Sequence, residues 1–234
     1  MAGEAEGFYT DNGTVRPITG RKGRGGAFVA AAVLAGAVAA SGGGLGGGAV
    51  ATGGMADTAV GGVDSAVTRS IRSRTSAGRN AAQKGQHDEA WRRMGLGRTT
   101  ARVVRRAATC AAHSFGQVQE FFLRTPCRSL QRALFAVPDT RGGTIAVAVA
   151  WVRMRKSRDA VRLRALVDTY GTGNVTPLAG TALGLSGVRF AGKYYDSRRD
   201  GSLVVIAEAA PAGGRPDPEL MKGVAQVAAE FPPP

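Results

Sequence analysis

Thr144-Ile145-Ala146-Val147-Ala148-Val149-Ala150-Trp151-Val152-Arg153-Met154 is the stretch whose reading decides the fold. Ile145, Val147, Val149 and Trp151 alternate with Ala146, Ala148, Ala150 and Val152, the two-residue period of a β-strand. Both faces are apolar, one of large residues and one of small, so the strand belongs in a central position with helices packed on the large side. Upstream, the turn cluster Pro138 to Gly143 precedes it. Before that turn, Phe115, Val118, Phe121 and Phe122 form one apolar stripe at helical spacing over Ser114 to Leu123. Thr125-Pro126 has the form of an N-cap followed by proline at the first helical position, and it predicts a second helix from Pro126 to Phe135 that buries Leu130, Leu134 and Phe135.

Downstream, Ser157 is expected to cap a helix to Tyr170 with Ala160, Leu163, Leu166, Val167 and Tyr170 turned inward. A Gly-, Thr- and Pro-rich loop from Gly171 to Gly187 follows. Val188 to Tyr195 and Ser202 to Glu208 read as a hairpin around Asp196 to Gly201, with Asp200-Gly201 supplying the turn. Asp217-Pro218 repeats the cap-plus-proline signature and opens a last helix to Phe231, which three prolines end. The order is α-α-β-α-β-β-α. It predicts an α+β fold over residues 107–234, a small antiparallel sheet with helices packed on one face.

The rest of the 234-residue chain is less able to build a core. It carries 35 glycines and only 6% aromatic residues, so one modest domain is expected. Residues 1–24 read as a disordered cytoplasmic tail. Residues 25–56 carry no charge, are rich in alanine and glycine, and follow Arg21, Lys22 and Arg24. We read residues 27–48 of this segment as a single membrane-spanning anchor, the basic flank staying cytoplasmic and the C-terminal domain crossing over. Two other readings stand beside it: a cleaved signal ending at Ala37-Val38-Ala39, which would give a secreted protein, and an Ala/Gly-rich linker in a soluble one. Residues 57–106 hold eleven basic against four acidic side chains and read as a basic linker or stalk, disordered or partly helical.

The net charge is +14, and only five of the 31 basic residues are lysine. Arginine suits phosphate and anionic lipid, but here the arginines are spread along the chain, as a base-composition bias would leave them. Cys110 and Cys127 are the two cysteines; export makes a disulfide between them expected, and a cytosolic location leaves two reduced thiols.

Catalytic patterns are scarce. Cys110-x-x-His113 supplies two metal ligands where a structural zinc site wants four, so no metal and no cofactor is expected. Neither G-x-x-x-x-G-K-[ST] nor G-x-S-x-G occurs; Gly184-Leu185-Ser186-Gly187 only looks similar. The Gly171-Thr172-Gly173-Asn174 loop reads as a helix C-cap and turn. Asp159, Asp168 and Glu208 lie on separate elements and read as caps or surface groups. Arg198 and Arg199, placed at the hairpin tip, are the candidate anion contact.

From Cys110 onward, His113-Ser114-Phe115-Gly116-Gln117-Val118, Thr125-Pro126-Cys127-Arg128-Ser129-Leu130, Val147 to Val152 and Gly173-Asn174-Val175-Thr176-Pro177 resemble a group of uncharacterised single-pass membrane proteins of high-GC Gram-positive bacteria. The resemblance implies an N-terminal span and an extracytoplasmic domain, and no activity. The expected function is a non-enzymatic, membrane-anchored module of the cell envelope that binds another protein or a wall component. The alternative is a cytosolic nucleic-acid-binding protein working through residues 57–106; against it, that stretch offers one aromatic platform, Trp91.

Overall fold

The computed structural model of the chain describes residues 8–11, 14–17 and 57–234. It divides into two units, Met1–Thr52 and Gly53–Pro234. In the first, strands β1 (Phe8–Asp11) and β2 (Thr14–Pro17) pair antiparallel with Asp11 opposite Thr14. The sequence between them is Asn12-Gly13, the residue pair that tight hairpins favour. Two paired strands therefore stand at residues 8–11 and 14–17, within the segment expected to be a disordered tail. The apolar segment, residues 25–56, lies outside the described residues. Among the described residues no helix is long and apolar enough to cross a membrane.

The second unit begins well before residue 107. Helix α1 (Asp57–Ala82), helix α2 (His87–Arg93) and strand β3 (Ala101–Ala107) occupy the stretch expected to be a stalk. They belong to the core: Ala81, Ala82, Ala90, Trp91, Met94 and Leu96 are buried against the sheet and the C-terminal helix. The Trp91 ring meets Phe231 edge-on at 5.1 Å and Phe135 at 6.4 Å. Alanine and glycine supply much of this contact. At Gly78 an added Cβ would lie 2.9 Å from Val227 Cγ2 and 3.3 Å from the Ala90 carbonyl, so the residue's lack of a side chain is what lets the helices approach. Glu230 ties the same region together by accepting from Arg79 (Nε, 3.0 Å) and Gln83 (3.2 Å) and by pairing with Arg198 (3.3 Å).

After a single 3-10 turn at Ala111–His113 come helix α3 (Gly116–Arg124), strands β4 (Ser129–Pro138) and β5 (Thr144–Arg153), and helix α4 (Ser157–Val167). A long loop, with a second 3-10 turn at Gly180–Leu183, leads to β6 (Tyr195–Asp200), β7 (Leu203–Gly213) and helix α5 (Pro218–Ala229). The sheet is five-stranded and antiparallel, in the order β3-β4-β5-β7-β6, so the protein is α+β and β5 is its middle strand. Asp217 caps α5 as expected, accepting from the backbone N–H groups of Glu219 and Leu220 at 2.8 and 3.1 Å, with Pro218 in the first turn.

Three expectations are corrected. Residues 129–138 form strand β4, not a helix from Pro126. β4 is paired on both edges and buried on both faces, so the Leu130 and Leu134 spacing that mimicked a helix is a buried strand's continuous apolar run. The helices cover both faces of the sheet, not one. α1, α2 and α5 pack on Ile145, Val147, Val149 and Trp151, the large side of β5, as expected; α3 and α4 pack on the other side, near Ala150 and Val152. Finally, α4 stops at Val167; Ser157 is its first residue and its hydroxyl donates to the Gly201 carbonyl at 3.1 Å, while Tyr170, expected inward, is 91% exposed.

Candidate functional site

The two cysteines lie at disulfide distance, with Cα atoms 6.1 Å apart, and both are buried in the core cluster under α3 and α4. Cys127 sits just before β4 and Cys110 just before the first 3-10 turn, so the pair fastens the entry of β4 to the link after β3. His113 is on that turn, its N–H donating to the Cys110 carbonyl at 3.0 Å. Burial, and then the nearby Arg132, hold its pKa below the usual histidine value. Among the described residues no group of three or more His, Cys, Asp and Glu side chains gathers as a metal site. Breaking the Cys110–Cys127 link opens a loop of 17 residues, which in the chain-entropy model stabilises the fold by roughly 3 kcal/mol. Reductant, or Cys110→Ser, is therefore expected to lower the urea midpoint clearly; an unchanged midpoint would show that the two sulfurs are not joined.

Arg198 and Arg199 lie within the edge strand β6, short of the hairpin tip, which is Gly201-Ser202. As neighbours on a strand they take opposite faces. Arg198 Nε donates to the Ala229 carbonyl at 3.1 Å and pairs with Glu230; Arg199 donates to the Gly201 carbonyl at 2.8 Å. They are thus engaged separately and do not form one exposed cationic pair.

A different site is assembled where sequence reading saw only a turn. The chain after α4 crosses the chain before α3: Phe115 N–H donates to the Asn174 carbonyl (3.1 Å), Val118 N–H to Thr172 (3.3 Å) and Thr176 N–H to His113 (2.8 Å). Two glycines make this crossing close. Gly173, at φ +94°, has no room for a Cβ, which would sit 2.1 Å from the Phe115 carbonyl oxygen; Gly116, at φ +64°, faces the Thr172 carbonyl. The crossing walls one side of an open cleft of about 490 Å3, lined by Phe115, Tyr170, Phe190 and Tyr195 together with Asp168, Asn174 and Glu208. Phe115, expected inward, is 51% exposed at its rim.

The floor follows from the pattern of β5. On its small-residue face Ala148 stands opposite Glu208 of β7 and Ala150 opposite Arg132 of β4. These alanines leave a void of about 20 Å3 that Arg132, Glu208, Ala148, Ala150 and Ile206 line, and it shares Asn174, Pro177 and Glu208 with the cleft. Both charged groups are over nine-tenths buried. Arg132 Nη1 donates to the Thr176 carbonyl at 2.9 Å, and its Nε–H has no acceptor among the described residues. Burial depresses the guanidinium pKa. Glu208 accepts from the backbone N–H of Gly192, and burial pushes its carboxyl up although the Gly192 and Ala191 N–H groups pull it down. Beside it, Asp168 accepts from Tyr195 (3.0 Å) and Ser197 (2.5 Å) and pairs with Arg164 (3.3 Å). Burial first, then the Asp168 charge, raise the Tyr195 phenol far above its usual value, so it stays a hydrogen-bond donor.

Arg132 was not singled out by the sequence, and Glu208, read there as a cap or surface group, is instead buried within β7. The signal was there: each is a lone charge in a strand whose neighbours are otherwise buried and mostly apolar. A carboxyl whose folded pKa is raised favours folding while protonated, and that contribution is lost as the pH climbs through the raised value. The stability of the wild type relative to Glu208→Gln should accordingly be highest at or below the ordinary carboxyl range and fall as the pH rises above it. Paired urea titrations across that range check this, and a difference independent of pH would contradict it.

Comparison with protein-family models, with curated proteins and with solved structures finds no match.

Proposed function

We propose that the chain is a binding module of the cell envelope, tethered through residues 27–48, with the folded body outside the cytoplasm and the cleft between α3, the 168–177 loop and β7 as its ligand site. The observation that carries the reading is the cleft itself: exposed aromatic rings at the rim and two buried charged side chains at the floor, a combination that burial would disfavour without a polar partner. The buried cysteine pair supports an oxidising compartment, and the uncharged segment after Arg21, Lys22 and Arg24 supports the tether.

The test has two arms on the full chain. Mass analysis of the membrane fraction with and without reductant should find an uncleaved polypeptide lighter by two hydrogens before reduction. The detergent-solubilised chain should cosediment with detergent-stripped envelope polymer, and Tyr170→Ala should weaken that retention. A cytosolic chain with free thiols would overturn the location, and retention indifferent to Tyr170 would overturn the site.

One observation favours the nucleic-acid alternative. Arg102, Arg105 and Arg106 are exposed on β3, an edge strand. Elsewhere in the basic stretch several arginines are matched by acids, Arg92 and Arg93 by Glu89, Arg98 by Asp88 and Arg79 by Glu230. DNA binding that weakens steeply with salt and is lost in the triple alanine variant of the β3 arginines would establish that reading.

A further inference from the structure

If the cleft is the binding site, its two levels define the chemistry of what enters. The lower level is a void of about 20 Å3, room for one oxygen-sized group and no more. It is lined by Arg132, whose Nε–H has no acceptor among the described residues, and by the buried carboxyl group of Glu208. A hydroxyl meets both with one atom, accepting from Arg132 and donating to Glu208. A carboxylate or phosphate is too large and would be repelled by Glu208 when ionised, and an ammonium would face the Arg132 charge. Asn174 lines both levels, and its side-chain oxygen accepts the Val175 N–H at 2.8 Å.

The upper level is aromatic. Phe115 and Tyr170 are 51% and 91% exposed, a state that isolated large rings leave when an apolar surface is offered to them. A ligand that carries hydroxyls at its edge and a flat C–H face fits the two levels together. We propose that the cleft binds a hydroxylated ring, a saccharide, with one hydroxyl seated between Arg132 and Glu208 and the ring face laid against Phe115 and Tyr170. Two sources can supply the ring, a glycan chain or a glycolipid headgroup; the recognition chemistry is the same.

The experiment is calorimetric titration of the full chain, held in a detergent without a sugar headgroup. One arm uses soluble β-linked tetrasaccharides of glucose and of N-acetylglucosamine, the other vesicles with and without glycosyl-diacylglycerol. Saturable binding in either arm is expected, and the arm that binds names the source. Tyr170→Ala, at a side chain too exposed to matter for folding, should weaken it about tenfold. Arg132→Lys, which removes the Nε–H, should weaken it by a similar factor. No binding in either arm, with envelope retention still dependent on Tyr170, would overturn the saccharide while leaving the cleft as the site. Saccharide binding unaffected by both substitutions would overturn the placement of the ring, and loss of Tyr170 dependence in both assays would overturn the cleft altogether.

Discussion

A chain that begins at Ala107 is expected not to fold, whereas residues 53–234 should melt in one cooperative transition. The reason lies in what residues 57–106 supply. β3 pairs with β4 along seven residues, from Ala101 opposite Ala136 to Ala107 opposite Leu130. Without it the buried, apolar β4 becomes an open edge, an invitation to aggregate. Trp91 and Met94 are fully buried, and Leu96 nearly so, in the cluster that holds Phe135, Trp151 and Phe231. Removing one such side chain from a core costs about 2–5 kcal/mol, so the loss of three is comparable to the whole of the roughly 5–15 kcal/mol by which domains of this kind are stable. Circular dichroism with a urea titration on the two chains decides it. A cooperative transition in the shorter one would show that α1, α2 and β3 are an accessory layer.

That boundary marks where sequence reading loses its footing. β5 and α5 were legible because each carries a local signal, a two-residue period and an Asp-Pro cap; the hairpin was legible only at Gly201 (φ +54°), since its first strand is Tyr195–Asp200 where a turn was expected, and not Val188 to Tyr195. α1 has no such signal, since its core contacts are made by Ala81, Ala82 and the gap at Gly78, residues that weigh little in any hydrophobic pattern. β4 was misread for the opposite reason, because with both faces buried no alternation survives. The candidate site was less legible still. Its parts come from β4, β7, the start of α3 and two loops, and only the sheet register brings Arg132 and Glu208 to opposite sides of β5's alanines. The charges could be seen in the sequence; their convergence could not.

The loop Gly171-Thr172-Gly173-Asn174 offers the sharpest test of how the cleft is held, because it contains its own control. Both glycines have similar backbone angles, φ +86° at Gly171 and +94° at Gly173, and an alanine at either must enter a region that side chains avoid. That strain is worth about 1–2 kcal/mol. The surroundings differ. Nothing lies within 4 Å of a Cβ at Gly171, whereas at Gly173 the Cβ falls 2.1 Å from the Phe115 carbonyl oxygen, on backbone that no rotamer change can move aside. Gly173→Ala must therefore separate the two crossing segments and with them the Phe115–Asn174 and Val118–Thr172 hydrogen bonds. Each such bond contributes about 1 kcal/mol, so Gly173→Ala should cost at least about twice what Gly171→Ala does, measured as urea midpoints of the two variants. The cleft would go with it: Phe115 and Asn174 no longer share a wall, and ligand retention should fall in Gly173→Ala while persisting in Gly171→Ala. Equal losses of stability in the two would mean that backbone strain alone fixes this loop and that the crossing is not what builds the site.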